Sequence, residues 1–130
     1  MGRAVSGIVN YHGKVLLGKK RSDSPKFLAG KWHIPGETVE GEESDEAALM
    51  RGMKEEVGLE IKVRRYICSS ISPSGSKNVN WYECFSSSDK INPSSDLEDA
   101  KWVLKKEIFN YLDYDVINLW PEKILGYFSN

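Results

Sequence analysis

Apolar and polar positions along the chain switch between a period of two and a period near 3.6. "RAVSGIVN" (3–10) and "KVLLGKK" (14–20) read as strands flanking "YHGK". This predicts a β-hairpin with Gly13 in its turn and His12 as a polar turn residue. The polar stretch 21–31, broken by Pro25 and Gly30, predicts a loop. "WHIPG" predicts a short extended piece ending at Pro35 and Gly36, followed by a second loop. Over 45–57 the period becomes helical. At 100° per residue Leu49, Met53, Val57, Met50 and Ala47 share one arc, the expected core stripe, while Gly52, Glu55, Glu56, Asp45 and Ala48 lie opposite. Ser44 suits the N-cap and Gly58 the C′ position.

Strands are predicted at 60–71 and 79–87, separated by the loop tip "SPSGSKN", and a shorter one at "AKWVL" (100–104). "KKEIFNYL" and "DYDVINLW" read as helical, and Pro121 suits the first turn of a last helix, "PEKILGYF". The irregular interleaving of strands and helices predicts an α/β or α+β class with a mixed sheet.

Composition narrows the function classes. A chain of 130 residues, 40% hydrophobic and 11% aromatic, predicts one domain, 1–130, with a real core. A net charge of −1 and no basic stripe argue against a nucleic-acid polymer as partner. No apolar run approaches the roughly 20 residues of a membrane helix, and the N-terminus lacks a signal-peptide pattern. A cytoplasmic protein without membrane association is therefore expected. Cys68 and Cys84 lie in apolar, strand-like stretches and read as reduced core thiols, and His12 and His33 lack zinc-ligand spacing.

The chemistry gathers on one helix face. Positions 52, 55 and 56 are helical neighbours. Adjacent carboxylates repel one another unless a cation lies between them, and all-oxygen ligation favours a hard ion, Mg²⁺ or Mn²⁺. Taken alone, an acidic face on an amphipathic helix is ordinarily solvated surface.

The longer stretch "GETVEGEESDEAALMRGMKEEVGL" (36–59) resembles the Nudix box, G-xxxxx-E-xxxxxxx-REUxEExGU with U aliphatic. Anchored on Gly58 and Leu59 it aligns without a gap: Glu55 and Glu56 on the EE pair, Met53 on the first U, Arg51 on the R and Glu43 on the isolated E. Two positions depart. Glu37 stands where the opening Gly belongs, and Gly52 where the first Glu of REUxEE belongs. "GKWHIPG" resembles the approach to the box, and "DLEDAKWV" the acidic segment ending in tryptophan found in Nudix chains.

The resemblance implies a Nudix fold, an α/β/α sandwich with a mixed central sheet. It implies a Mg²⁺-dependent hydrolase, with Mn²⁺ as the alternative ion, that cleaves a nucleoside diphosphate linked to another moiety by water attack on phosphorus. Glu55, Glu56, Arg51 and Glu43 become the expected catalytic set, with Arg51 and Glu43 orienting the helix. Glu55, Glu56, the Gly36 carbonyl and Asp96 become the expected metal ligands, with Glu98 the rival to Asp96. Gly52 removes a family metal ligand. Three outcomes follow: reduced turnover through the remaining ligands, compensation by Glu37, or a non-catalytic Nudix-fold nucleotide-binding or interaction module.

For substrate contacts, Trp32 and Tyr82, with Trp81 and Phe85, are candidates to stack on a base, although aromatics at strand spacing ordinarily fill a core. Arg21 is the candidate phosphate contact. Lys19 and Lys20 read as a solvated strand end. Pro73 lies near the spacing of a proline that marks ADP-ribose enzymes of the family. A nucleoside triphosphate and a nucleotide sugar both stand as substrate classes, and the family's frequent dimers make a homodimer the alternative to a monomer.

Overall fold

The computed structural model describes residues 2–25, 27–94 and 96–129. Its first two strands, β1 (Gly2–Tyr11) and β2 (Lys14–Lys20), form the expected hairpin. His12 and Gly13 both take positive φ, 46° and 78°, the pair of left-handed residues a type I′ turn requires. The two strands then part. They pair with each other only at Asn10–Val15 and Tyr11–Lys14.

The chain that follows fills the gap. β3 (Trp32–His33) pairs with β2, and β4 (Gly36–Thr38) pairs with β1 through Ala4–Thr38, Val5–Glu37 and Ser6–Gly36. Between them the buried Ile34 and Pro35 cross from one strand to the other, and Gly7 N–H donates to the Pro35 carbonyl at 3.1 Å. The extended segment therefore runs on to Thr38 instead of ending at Gly36. Close approach explains the glycine at 36: a Cβ there would lie 2.7 Å from the Val5 carbonyl oxygen.

α1 (Asp45–Val57) follows, then β5 (Ile61–Ile71), β6 (Lys77–Ser86) and β7 (Leu97–Leu104). Among the described residues the mixed sheet runs β3-β2-β1-β6-β5, with β4 on β1 and β7 on β2. β1 and β6 are parallel, and the other pairings are antiparallel. β7 is longer than predicted because its acidic start, Leu97–Asp99, pairs with Lys19 and Lys20 of β2.

Alternation along β1 and β2 splits the core into two layers. Val5, Val9 and Leu16 face α1 with Ala48, Leu49, Met53 and Val57. Ile8, Val15 and Leu17 face the other way, onto Ile108, Val116, Trp120, Ile124 and Phe128. The result is a sheet covered on both faces, the expected α/β/α sandwich. Burying Leu49 and Met53 contributes roughly 1.5–3 kcal/mol each.

The helical arc needs correction. Ala48 is 0% exposed and Gly52 is buried, while Met50 is 46% exposed. The apolar stripe of α1 is thus rotated toward 48 and 52, and Leu49 and Met53 pack closely over Gly7 of β1. The segment 105–110 is a 3-10 helix (Lys105–Asn110), and α2 is a single turn (Tyr114–Ile117). Each buries one residue, Ile108 and Val116, too little apolar face to sustain a long helix. α3 (Glu122–Ser129) closes the described chain, and the Pro121 carbonyl accepts from Ile124 and Leu125 N–H. Cys68 and Cys84 are free and buried.

Candidate active site

α1 holds its acids in place through both ends. At the start Ser44 Oγ accepts from Ala47 N–H at 3.1 Å. Asp45 accepts from Arg3 Nε, Asn80 Nδ2 and Tyr82 Oη, at 2.8, 2.8 and 2.6 Å. Burial raises the Asp45 pKa, but these donors outweigh it and hold the carboxyl below its usual range. At the far end Gly58 takes φ 74° and donates to the Lys54 carbonyl, and Leu59 N–H donates to Met53. Two further carbonyls there are satisfied from outside: Asn92 N–H donates to Val57 at 2.9 Å and Ser94 N–H to Glu56 at 2.8 Å. The loop after β6 is thus pinned to the C-terminal turn of α1, which carries Asp96 toward Glu56.

Arg51 is the hub of the loop between β4 and α1. Its Nε and Nη2 donate to the two oxygens of Glu43 at 2.8 and 2.9 Å, and Nη2 also donates to the Thr38 carbonyl at 3.1 Å. Nη1 lies 3.4 Å from Glu55, 3.7 Å from Glu40 and 3.8 Å from Glu37. Glu43 also accepts from Glu40 N–H. The Arg51 hydrogen bonds, followed by that backbone donor, draw the Glu43 pKa down to about 2. In return Glu43 raises the Arg51 guanidinium above its ordinary value. The predicted Arg51–Glu43 pair is therefore present as a bidentate bridge between loop and helix.

Around the C-terminal half of α1 carboxylates converge from three elements. Glu55 is exposed, and Glu56 is half-buried with no side-chain hydrogen bond among the described residues. Burial raises the Glu56 pKa to about 7, aided by Glu37, Asp96 and Glu55 and opposed by Lys20. Glu37, at 21% side-chain exposure, accepts from Thr38 N–H through Oε1 and extends its other oxygen over Gly52. Among the described residues no three His, Cys, Asp or Glu side chains are already gathered as a cation cage. A hydrated Mg²⁺ needs only one or two protein carboxylates together with substrate oxygens. The adjacent Glu55 and Glu56, with Glu37 reaching over Gly52, offer the one or two carboxylates that such an ion takes.

The rival loop acids separate. Glu98 accepts from Ser22 N–H and Oγ at 3.2 and 2.9 Å and pairs with Lys19 at 3.3 Å. Asp96 instead acts on Glu56. Arg21 binds Asp23 at 2.8 and 3.0 Å and lines an open depression with Ser22, Leu97 and Glu98, beside Asp96.

The two aromatic candidates are not brought together. Trp32 packs on the layer that holds Trp120 and Phe128, with the Lys101 ammonium 4.3 Å from its ring centroid. Tyr82 lies in the opposite layer, its hydroxyl engaged by Asp45 at the start of α1. Asp45 and Glu56 are 11 residues apart on one helix, about 16 Å. Lys20, expected as a solvated strand end, instead lowers the Glu56 pKa from the end of β2, and Glu40, not singled out in the sequence, joins the Arg51 hub. The pairing of "KK" with the acidic "DLED" segment was the available signal for Lys20.

A NUDIX domain family model matches residues 1–121. A CTP pyrophosphohydrolase of Escherichia coli K12 is 38% identical over 65 residues, 50% of this chain and 47% of that protein, so the matched stretch spans about half the length of this curated relative. A NUDIX hydrolase from Nitrosomonas europaea superposes with a TM-score of 0.80 over 98% of this chain and 70% of that one, at 22% identity. The E. coli ORF135 protein superposes with a TM-score of 0.70 over 97% and 89%, at 25% identity. With the box helix, the Arg51–Glu43 bridge and this family match in hand, the chain belongs to the NUDIX domain family.

Proposed function

We propose that this protein is a Mg²⁺-dependent hydrolase that cleaves a phosphoric anhydride of a nucleoside triphosphate by water attack on phosphorus. The observation that carries the reading is the half-buried Glu56 next to the exposed Glu55 at the end of the box helix, with the Glu37 carboxylate reaching over Gly52 from β4. Repulsion among such acids is relieved by a divalent ion and a polyanionic substrate bound together. The partial likeness to a CTP pyrophosphohydrolase supports the triphosphate class over a nucleotide sugar.

Glu55, Glu56, the Gly36 carbonyl and Asp96 are the groups that would hold the ion. When bound, a divalent cation neutralises phosphate charge and lowers the pKa of a bound water. Arg51 and Glu43 keep the loop and helix in register, so that the Gly36 carbonyl and the Glu55–Glu56 pair stay aligned. Lys20 offsets part of the local negative charge, and Arg21 lies beside Asp96, placed to exchange Asp23 for a phosphate. A divalent ion and a nucleotide suffice as partners; the reading requires neither a polynucleotide nor a second copy of the chain. Among the described residues no helix is long and apolar enough to cross a membrane.

The test is Mg²⁺-dependent release of pyrophosphate or phosphate across a nucleotide panel containing CTP, other triphosphates, nucleotide sugars and ADP-ribose. Release from a triphosphate that chelation abolishes is the expected result. Binding of a nucleotide without release from any substrate would overturn the hydrolase reading in favour of a binding module.

A further inference from the structure

Two departures from the box lie against each other in space. Gly52, in the middle of α1, is buried, and a mid-helix glycine costs ~1 kcal/mol relative to alanine. A Cβ built on Gly52 would lie 2.9 Å from Glu37 Oε2 and 3.0 Å from both Glu37 Cβ and Cγ. The space that a side chain at 52 would enter is occupied by the side chain at 37. The converse holds at the other departure, since the box glycine expected at 37 would leave that space empty. One carboxylate has been removed from the helix and one added on the strand facing it.

We infer that Glu37 is a metal-ligating residue, the substitute for the carboxylate missing at position 52, so that the acid reaches the site from β4 instead of from α1. This rests on the hydrolase reading above for the identity of the site. β4 holds the position rigidly, because Glu37 pairs with Val5 and is flanked by the Ser6–Gly36 and Ala4–Thr38 pairs. Thr38 N–H fixes Oε1 at 3.0 Å, and Arg51 Nη1 stands 3.8 Å from Oε2. Glu37 also adjoins Gly36, whose carbonyl is an expected ligand, so successive residues of one strand would face the same ion. With Glu37 in place, a side chain at 52 would enter only by displacing the Glu37 side chain.

The experiment measures Mn²⁺ affinity by electron paramagnetic resonance and metal-free melting temperature on the full chain. The variants are Glu37→Gln, Gly52→Glu and the double replacement Glu37→Gly with Gly52→Glu. Glu37→Gln is expected to weaken Mn²⁺ binding about tenfold or more while the metal-free melting temperature stays near the parent's. Gly52→Glu alone lowers the melting temperature, because two side chains contest one space. The double replacement restores both quantities, since it returns the acid to the helix and clears the strand. Mn²⁺ affinity unchanged in Glu37→Gln would overturn the inference. A parent that binds no Mn²⁺ would overturn it as well. So would a double replacement that melts like the parent and does not bind. A parent that binds Mn²⁺ through Glu37 yet releases no phosphate or pyrophosphate would instead remove the hydrolase reading and leave the ligand assignment standing.

Discussion

Arg51 and Glu43 meet in a two-point bridge, 2.8 and 2.9 Å, that fastens the loop before α1 to the middle of the helix. A lysine keeps the charge but cannot present two parallel donors. Arg51→Lys is therefore expected to lower the melting temperature and to loosen the 39–44 loop, seen as faster amide hydrogen exchange there. Exchange unchanged from the parent would show that the bridge does not hold the loop.

The same pair sets an acid-side dependence. The Glu43 pKa is depressed to about 2 from 4.5, with Arg51 the first cause. A depressed carboxylate contributes stability that is fully present above its unfolded pKa and is lost as pH falls through its folded one. The contribution therefore fades between about pH 4.5 and 2. Glu43→Gln is expected to be less stable than the parent at pH 7, with the difference shrinking across that window in denaturant titrations. A gap that stays constant to pH 2 would contradict the assignment.

Glu56 runs the other way. Its pKa is raised to about 7, first by burial and then by Glu37. Without metal, ionising it in the folded state opposes folding, so its cost is absent below the unfolded pKa of 4.5 and complete above about 7. Glu56→Gln is expected to remove this loss of stability with rising pH between those values. Mg²⁺ competes with the proton for this carboxylate, so isothermal titration of the parent should show affinity rising from pH 5.5 toward pH 8. Affinity independent of pH over that range would exclude Glu56 as a ligand.

His33 supplies a second, opposing dependence on the same scale. It is buried, and burial lowers its pKa from 6.5 to about 4. The unfolded chain gains a proton below pH 6.5 while the folded one does not, so stability falls between 6.5 and 4. The Glu56→Gln variant isolates this term. Its stability is expected to drop across that window, and His33→Gln in the same background removes the drop.

Tyr82 anchors α1 through Asp45 at 2.6 Å instead of facing the acids at the far end. Tyr82→Phe loses one hydrogen bond to a carboxylate, a cost of about 1.5–3 kcal/mol reduced by partial exposure. Equilibrium unfolding should register the loss while the KM for the preferred nucleotide stays within about twofold, well under the tenfold that 1.4 kcal/mol represents. A raised KM with unchanged stability would return Tyr82 to the substrate contacts.

Local rules made much of this protein legible in its sequence. Ser44 and Gly58 bracket α1 to the residue, because capping is a property of a few adjacent backbone groups. The hairpin turn, the alternating strands and the spacing of Arg51, Glu55 and Glu56 are local in the same sense. The ends of β4 and β7, the rotation of the α1 stripe and the shortness of α2 are not, since each depends on what lies opposite. Wedging 32–38 between two diverging strands extends β4, and the packing of α1 against the sheet buries 48 and 52. The sequence by itself thus determined which acids the helix offers and that one of them is absent. Only the tertiary structure decided that Glu37 fills the space above Gly52, because residues fifteen positions apart become neighbours when β4 crosses to β1 beneath the helix.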